Sequence, residues 1–356
     1  MDLSPLPSLT HPLIIAGPCS AESEAQIISA AKDLARSGRI SVFRAGLWKP
    51  RTKPGCFEGV GATGLKWLIK AKETTGLPIA TEVATPDHVR AVSDAGIDMV
   101  WIGARTTANP FAVQDIADAI GKLNPGLPVF VKNPVNPDLE LWIGAIERLF
   151  KAGVTCLGAI HRGFSVYGPH IYRNKPCWSI PFELKRRIPA LPVICDPSHI
   201  GGSREYVAPL AHQAIDMGFD GLIIECHPDP AKALSDAQQQ LTPDMLEELI
   251  ATLSPRNPCS SDDRIATLRS KIDGVDRDIL ELIARRMNLT DEIGRIKAAD
   301  NLSVVQRERY RAMMEIRHKW ADTLGINETL ADAIFTAIHE DSVKRQIEMV
   351  SRSVRR

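Results

Sequence analysis

Residues 192–227 read PVICDPSHIGGSREYVAPLAHQAIDMGFDGLIIECH. Two short, β-branched apolar runs, PVIC and GLII, stand either side of an amphipathic stretch, SREYVAPLAHQAIDMG (203–218), which closes on a glycine. A terminal glycine is a helix stop, so the chain is free to begin a new strand directly after it. Strands that are apolar almost throughout, and joined through a helix, belong to a parallel sheet whose two faces are both covered. The same unit recurs outward from this stretch. Apolar runs appear as LIIAGPC (13–19), VFRAGL (42–47), PIATEV (78–83), MVWIGA (99–104), PVFVKN (128–133) and TCLGAI (155–160), with helical stretches such as DLELWIGAIERLFKAG (138–153) between them. About eight units over this length favour a closed (β/α)8 TIM barrel, an α/β fold, over an open doubly wound sheet. No GxGxxG follows the first run, which counts against a dinucleotide-binding sheet.

Beyond about residue 250 the pattern changes. SPRNPCSSDD (254–263) is rich in Pro, Ser and Asp and reads as a linker ending in helix N-cap residues. The remainder is helix only, with stretches expected at about 263–299, 302–323 and 327–350, punctuated by Gly325 and Asn327. The expected organisation is a barrel over 1–253, a linker over 254–263 and an all-α three-helix domain over 264–356.

Composition narrows the class. A hydrophobic content of 44% with 24% charged residues is that of a soluble globular protein. A formal net charge of zero argues against a nucleic-acid or membrane surface. No run approaches the roughly 18 apolar residues of a membrane span. The N-terminus lacks a basic region followed by an apolar run and a cleavage site, so a cytoplasmic protein is expected. The seven cysteines form no CxxC and read as reduced thiols.

In a β/α barrel the active site lies at the C-terminal ends of the strands. Here Cys19, Arg44, Lys49, Glu82, Arg105, Lys132, Arg162, Asp196, His199 and Glu225 each follow an apolar run closely enough to reach one mouth. Five Arg or Lys side chains gathered at one mouth would repel one another unless an anion sat between them, and phosphate or carboxylate is the natural guest. Cys19, His199, Glu225 and Asp236 are candidate ligands for a divalent cation. A thiolate, an imidazole and two carboxylates suit manganese, iron, cobalt or zinc better than magnesium. His227, two residues after Glu225, is a competing imidazole.

The motifs GPCS (17–20), FRAGLWKPRT (43–52), GART (103–106), HRG (161–163), CDPSH (195–199), ECHPDP (225–230) and LSDAQQQL (234–241) resemble those of 3-deoxy-D-arabino-heptulosonate 7-phosphate (DAHP) synthases of the type I, beta subgroup, over residues 12–252. The sister octulosonate 8-phosphate synthases usually read KANR where this chain has KPRT. The resemblance implies condensation of phosphoenolpyruvate with erythrose 4-phosphate. It implies that Arg44, Arg105, Lys132 and Arg162 hold phosphoenolpyruvate and that Arg51 and Thr52 hold the aldehyde's phosphate. Lys49 would protonate the aldehyde oxygen, and a divalent metal, Mn2+ first, would sit on Cys19, His199, Glu225 and Asp236. Glu82 and Asp196 would orient the basic groups or serve the structure. VKNP (131–134) departs from the family's commoner VKRG.

The first long helix carries a heptad seam of Ile265, Leu268, Ile272, Val275, Ile279, Leu282, then Arg286, then Leu289, Ile293 and Ile296. A guanidinium at an apolar position needs an acidic partner or an anionic ligand. Lys297, three turns on, faces nearly the same way, whereas Arg269 lies about 100° off and would more easily serve a neighbouring subunit. In the third helix an i+4 row runs Leu330, Ile334, Ile338, Ser342, Gln346, apolar turning polar. Fraying toward solvent and a polar pocket are both open for its end. LRSKID (268–273), ARRMNLTDEIGRIK (284–297), QRER (306–309) and HEDSVKRQ (339–346) resemble an all-helical (AroQ-type) chorismate mutase. That implies a pocket of Arg269, Arg286, Lys297, Arg309, Ser342 and Gln346, shared across an intertwined homodimer with Arg269 crossing over. Lys297 and Gln346 would donate to the ether oxygen of chorismate. Gln306 and Tyr310 stand where many relatives carry acids. The expectation is therefore a bifunctional enzyme. An alternative makes the helical domain only a prephenate or chorismate sensor and dimerisation module.

Overall fold

The computed structural model describes residues 12–49, 55, 57–167, 171–253, 263–300, 302–304 and 307–354. It divides into two compact units between Pro258 and Cys259. In the first unit eight parallel strands close a barrel in chain order: β1 (Leu13–Gly17), β2 (Val42–Arg44), β3 (Ile79–Val83), β4 (Met99–Ile102), β5 (Val129–Lys132), β6 (Leu157–His161), β7 (Val193–Cys195) and β8 (Gly221–Glu225). Closure is made by β1 on β8, with Leu13 opposite Gly221 and Gly17 opposite Glu225. All eight predicted runs become strands. The helices that follow the strands begin where short polar side chains cap the free N–H groups: Ser23, Thr85, Asp138 and Thr242 each accept a bond from the first turn.

The alternation of side chains along each strand makes two apolar layers. Leu13, Ile15, Val42, Ala80, Met99, Trp101, Phe130, Ile160, Ile194 and Ile223 form one buried cluster, and these fill the barrel. Their alternates, among them Ile14, Phe43, Val100, Val131 and Leu222, join the larger layer beneath the helices. The same parity places the chemistry. Arg44, Glu82, Lys132, Arg162, Asp196 and Glu225 each stand two residues beyond an interior residue, so each continues an inward-facing row at its strand's C-terminal end. His161 has the opposite parity and faces outward among Trp142, Phe164, Trp178 and Phe219.

The second unit holds three helices, Asp263–Ala299, Arg307–Thr323 and Glu328–Val354, the third packing against both others. The second helix begins later than the sequence suggested. Residues 302–304 instead fold back on the end of the first helix, where Lys297 Nζ donates to the Val304 carbonyl at 2.7 Å and the Leu302 N–H to the Lys297 carbonyl at 2.9 Å. The heptad seam is not buried within this chain: Ile272, Val275, Ile279, Leu282, Leu289, Ile293 and Ile296 are all exposed. On the third helix Leu330 and Ile334 are exposed while Ser342 and Gln346 are buried, so the polar end of the row turns inward and does not fray. Among the described residues no helix is long and apolar enough to cross a membrane.

Candidate active site

The barrel mouth is built around Cys19, Glu225 and Asp236, whose ligand atoms all lie within 4.8 Å of one another. Cys19 follows Gly17, where a Cβ would meet the Arg44 carbonyl oxygen at 2.0 Å; only glycine lets β1 run this close to β2. The Cys19 thiol donates to Asp236 Oδ2 at 3.1 Å, and Lys49 Nζ donates to Cys19 Sγ at 3.1 Å. Glu225 is fully buried; two donors hold its carboxylate and its own backbone N–H makes a third bond. Arg44 Nη1 reaches Oε1 at 3.2 Å, Gln239 Nε2 reaches Oε2 at 2.6 Å, and the Glu225 backbone N–H is anchored on Ser198 Oγ at 3.0 Å. His199 lies beside the cluster, Nε2 at 3.7 Å from Glu225 Oε1 and Nδ1 at 2.8 Å from Asp196 Oδ2. His227 turns elsewhere: its Nδ1 accepts from the Asp229 N–H, and its Nε2 lies 3.7 Å from Glu22.

The charges are tightly interlocked. Burial, and then Glu225, push the Cys19 thiol up to about 12, against the opposing pull of Lys49. Burial also pushes Asp196 up, but His199 and Lys132 outweigh it and hold its carboxyl well below the usual range. Burial acts on Glu225 in the same way and is overcome by His199 and Arg44. A thiol enclosed with two carboxylates stays protonated unless a cation is added, and a divalent ion is the addition that makes thiolate and carboxylates favourable together. The donor set fits such an ion, with sulfur and nitrogen beside oxygen selecting a borderline transition metal.

The expected anion-binding side chains surround this cluster with different degrees of freedom. Arg44 is buried; besides Glu225 it donates to the Cys19 carbonyl at 2.9 Å and lies 4.8 Å over the Trp101 ring. Trp101 Nε1 in turn donates to Glu82 Oε2 at 3.2 Å, which gives Glu82 its place. Lys132 pairs with Asp196 at 2.8 Å, both buried. Arg162 Nη1 donates to Asn174 Oδ1 at 2.8 Å, and burial lowers its pKa to about 10. Arg105 stands exposed on the short helix Ala104–Thr107, near enough to Arg162 to contribute to that lowering. Arg51 and Thr52 lie outside the described residues.

Several residues were not foreseen. Arg173 donates to Asp236 Oδ1 and to Gln239 Oε1, both at 2.9 Å, and so fixes a carboxylate whose backbone has a positive φ of 49°. Asn133, the departure within VKNP, is fully buried and braces the next loop. Its Oδ1 accepts the Arg162 N–H at 2.7 Å and its Nδ2 donates to the Gly163 carbonyl at 2.9 Å. Arg173 and Asn174 sit in the long β6–β7 loop, where no strand end announces them.

The helical unit has a site of its own, a cavity of about 300 Å³ lined by Arg286, Lys297, Arg309, Ser342 and Gln346 together with Tyr310, Arg317 and His339. Arg286 Nη1 donates to Ser342 Oγ at 2.7 Å, and Ser342 donates on to the Ile338 carbonyl at 2.7 Å. Burial lowers the Arg286 pKa. Gln346 Oε1 is buried and accepts no hydrogen bond from the described residues. Arg269 is exposed on the first helix and does not line the cavity of its own chain; Gln306 lies outside the described residues. Arg317 and His339, unforeseen here, share the cavity wall.

A closed parallel barrel of eight strands, with a thiol–carboxylate cluster and several cationic side chains at its mouth, defines the (β/α)8 class. The chain belongs to the DAHP synthetase I family, whose model matches residues 10–256, and residues 268–347 match the model of chorismate mutase type II. Among curated proteins it is 34% identical over 237 residues to a phospho-2-dehydro-3-deoxyheptonate aldolase of Thermotoga maritima, covering 67% of each chain. It is 33% identical over 261 residues to a 2-dehydro-3-deoxyphosphooctonate aldolase of Desulfatibacillum aliphaticivorans, covering 68% of this chain and 90% of that one. The crystal structure of the Thermotoga maritima DAHP synthase superposes with a TM-score of 0.60 at 33% identity over 67% of each chain. A truncated form of 3-deoxy-D-arabino-heptulosonate 7-phosphate synthase from the same organism gives 0.58 at 30% identity, over 67% of this chain and 84% of that one. A DAHP synthase barrel and a chorismate mutase domain thus share one chain, two steps of the shikimate route to aromatic amino acids.

Proposed function

We propose that the barrel condenses phosphoenolpyruvate with erythrose 4-phosphate and water to give DAHP and phosphate, and that the helical unit rearranges chorismate to prephenate. The observation carrying the first half is Lys49, an ammonium held 3.1 Å from the sulfur of the Cys19–Glu225–Asp236 cluster. A divalent cation held by Cys19, Glu225 and Asp236, with His199 beside them, would supply Lewis-acid polarisation of the aldehyde carbonyl; Mn2+ is the first choice, with Fe2+, Co2+ or Zn2+ as alternatives. Lys49 supplies the proton as that oxygen becomes an alkoxide. Arg105, Lys132 and Arg162 bind the carboxylate and phosphate of phosphoenolpyruvate, and Asp196 keeps Lys132 in place. Arg44, whose Nη1 also donates to Glu225, completes this phosphoenolpyruvate-binding set. The enol carbon bonds to the aldehyde carbon, water adds to the cationic carbon left behind, and the bond to phosphate breaks. Arg51 and Thr52 of KPRT take the phosphate of the aldehyde, and KPRT in place of KANR favours erythrose 4-phosphate as that aldehyde.

In the helical pocket no nucleophile or general base is required, because the rearrangement involves one substrate and no added group. Cations bind two carboxylates, and Lys297 and Gln346 offer donors to the ether oxygen where charge develops. The exposed seam of the first helix, and an Arg269 that does not line its own chain's cavity, support a homodimer through the helical unit, with Arg269 entering the neighbouring pocket. Prephenate bound there would regulate the barrel. A cytoplasmic setting suits both reactions. A second reading keeps the barrel as an enzyme and makes the helical unit a sensor; it is favoured by a cavity lined by no carboxylate among the described residues, with Tyr310 on its wall. One preparation assayed for phosphoenolpyruvate loss with erythrose 4-phosphate, and separately for chorismate loss, tests both. Turnover of the first alone selects the sensor, and turnover of neither overturns the proposal.

A further inference from the structure

The helical cavity contains one cation that the catalytic reading above does not use. Arg317 is only 8% exposed, yet its guanidinium meets no carboxylate among the described residues. It lies 4.3 Å over the Phe335 ring, and its Nη1 reaches the sulfur of Met314 at 3.4 Å. Both partners are neutral. A ring face attracts a cation but does not neutralise it. Taking a guanidinium out of water is costly, and neutral partners offset only part of that cost. Neither partner neutralises the charge, and the cavity that Arg317 lines is where an anion can enter and do so.

The other cations make the arrangement more specific. Arg286 and Arg317 are close enough that Arg286 helps burial depress the Arg317 pKa. Lys297 feels Arg309 in the same way. Arg286, Arg317, Lys297 and Arg309 thus line one cavity, Arg317 near Arg286 and Lys297 near Arg309, and no Asp or Glu among the described residues lines it. Two guanidiniums side by side form a planar set of donors suited to one carboxylate. Ser342 already occupies one donor of Arg286, which leaves Arg317 to complete that end.

We propose that Arg317 is a carboxylate-binding residue of the helical pocket, acting with Arg286 on one carboxylate of a dicarboxylate ligand while Arg309, beside Lys297, faces the second. The assignment rests on the reading of this pocket as the site of chorismate and prephenate, both dicarboxylates. It makes Arg317 a specificity residue that selects doubly charged ligands over singly charged ones of similar ring size.

The test uses the full-length protein and three readings: Kd for chorismate, Kd for benzoate as a monocarboxylate control, and Tm without ligand. Arg317→Met keeps the length and removes the charge. Loss of a charge-assisted contact weakens chorismate roughly ten- to a hundredfold, whereas the unliganded Tm is unchanged or raised, since a buried unpaired charge has gone. Arg317→Lys recovers part of the affinity, and the preference of the wild type for chorismate over benzoate shrinks in Arg317→Met. A lowered Tm with unaltered chorismate affinity overturns the assignment and makes Arg317 a structural cation, held by Phe335 or by an acid of a second subunit. If the wild type binds chorismate and Arg317→Met binds it equally, Arg317 alone is misassigned. If the wild type binds no chorismate, the reading of the pocket falls and the Arg317 assignment falls with it.

Discussion

Lys49 donates to the Cys19 sulfur across 3.1 Å, joining the loop after β2 to the loop after β1 at the mouth of the barrel. Gly46 makes the approach possible, since a Cβ there would lie 2.8 Å from Lys49 Cε. The contact is consistent with two roles, a proton donor to the substrate or a counter-charge for the sulfur. Lys49→Met separates them. As a proton donor its loss lowers kcat by roughly a hundredfold or more with bound metal unchanged on elemental analysis. If metal content falls in step with kcat, the ammonium serves the cluster and not the aldehyde.

Metal removal follows from the same geometry. Chelation should abolish the condensation, and added Mn2+ should restore it. Cys19→Ala should behave like the chelated enzyme while chorismate turnover stays largely intact, because the helical cavity contains none of the cluster residues. Full condensation by metal-free protein, checked by elemental analysis, would remove the metal assignment.

The legible and illegible parts of this molecule differ in a physical way. Several barrel residues read from the sequence stand two positions beyond an interior residue, where burial and alternation announce them: Arg44 after Val42, Lys132 after Phe130, Glu225 after Ile223. Arg173 and Gln239 come from loops with no periodicity, and only the folded chain shows that they hold Asp236 and Glu225. Arg286 was legible because it interrupts a regular heptad. Arg317 was not, because its helix, RERYRAMMEIRHKWADT, has no clean apolar stripe to interrupt. The described part of the heptad stripe is exposed within one chain, which the pattern alone does not announce, since a single sequence does not say whether an apolar stripe faces its own core, a second copy or solvent.

The two phosphate sites should separate kinetically. Arg51→Ala is expected to raise the KM for erythrose 4-phosphate roughly ten- to a hundredfold, the worth of one charge-assisted phosphate contact, with little change in the KM for phosphoenolpyruvate. Equal increases for both substrates would show that KPRT does not divide the two phosphates.

His161 gives the barrel an acid-sensitive core. Burial, and then Arg162, hold its pKa down to about 3, so the folded protein keeps the ring neutral. A histidine with a depressed folded pKa contributes stability that is complete above its ordinary value near 6.5 and is lost as the pH falls from there toward 3. Below about pH 6.5 that loss approaches roughly 1.4 kcal/mol per pH unit. His161→Phe places an uncharged ring among Trp142, Trp178 and Phe219. The variant is expected to close on the wild type in stability, or overtake it, between pH 6.5 and 4.5 in denaturant melts. A constant difference across that range would mean that His161 does not carry the effect.

The last prediction joins the two units. A first committed step and a branch-point step on one chain invite feedback, because prephenate in the helical cavity reports downstream supply. Such coupling requires the ligand to favour one global arrangement over another, whatever its affinity. Arg286 is the residue through which to test it, since it lines the cavity and its bond to Ser342 bridges the first and third helices. Prephenate is expected to inhibit the barrel reaction of the intact enzyme, and Arg286→Ala to abolish both that inhibition and chorismate turnover while leaving the uninhibited condensation rate near wild type. A chain ending after Leu253 should ignore prephenate; if its condensation rate also collapses, the helical unit supports the barrel as well as reporting to it. Inhibition that survives in Arg286→Ala would place the prephenate site elsewhere, and an intact enzyme unaffected by prephenate at concentrations that fill the cavity would end the coupling idea.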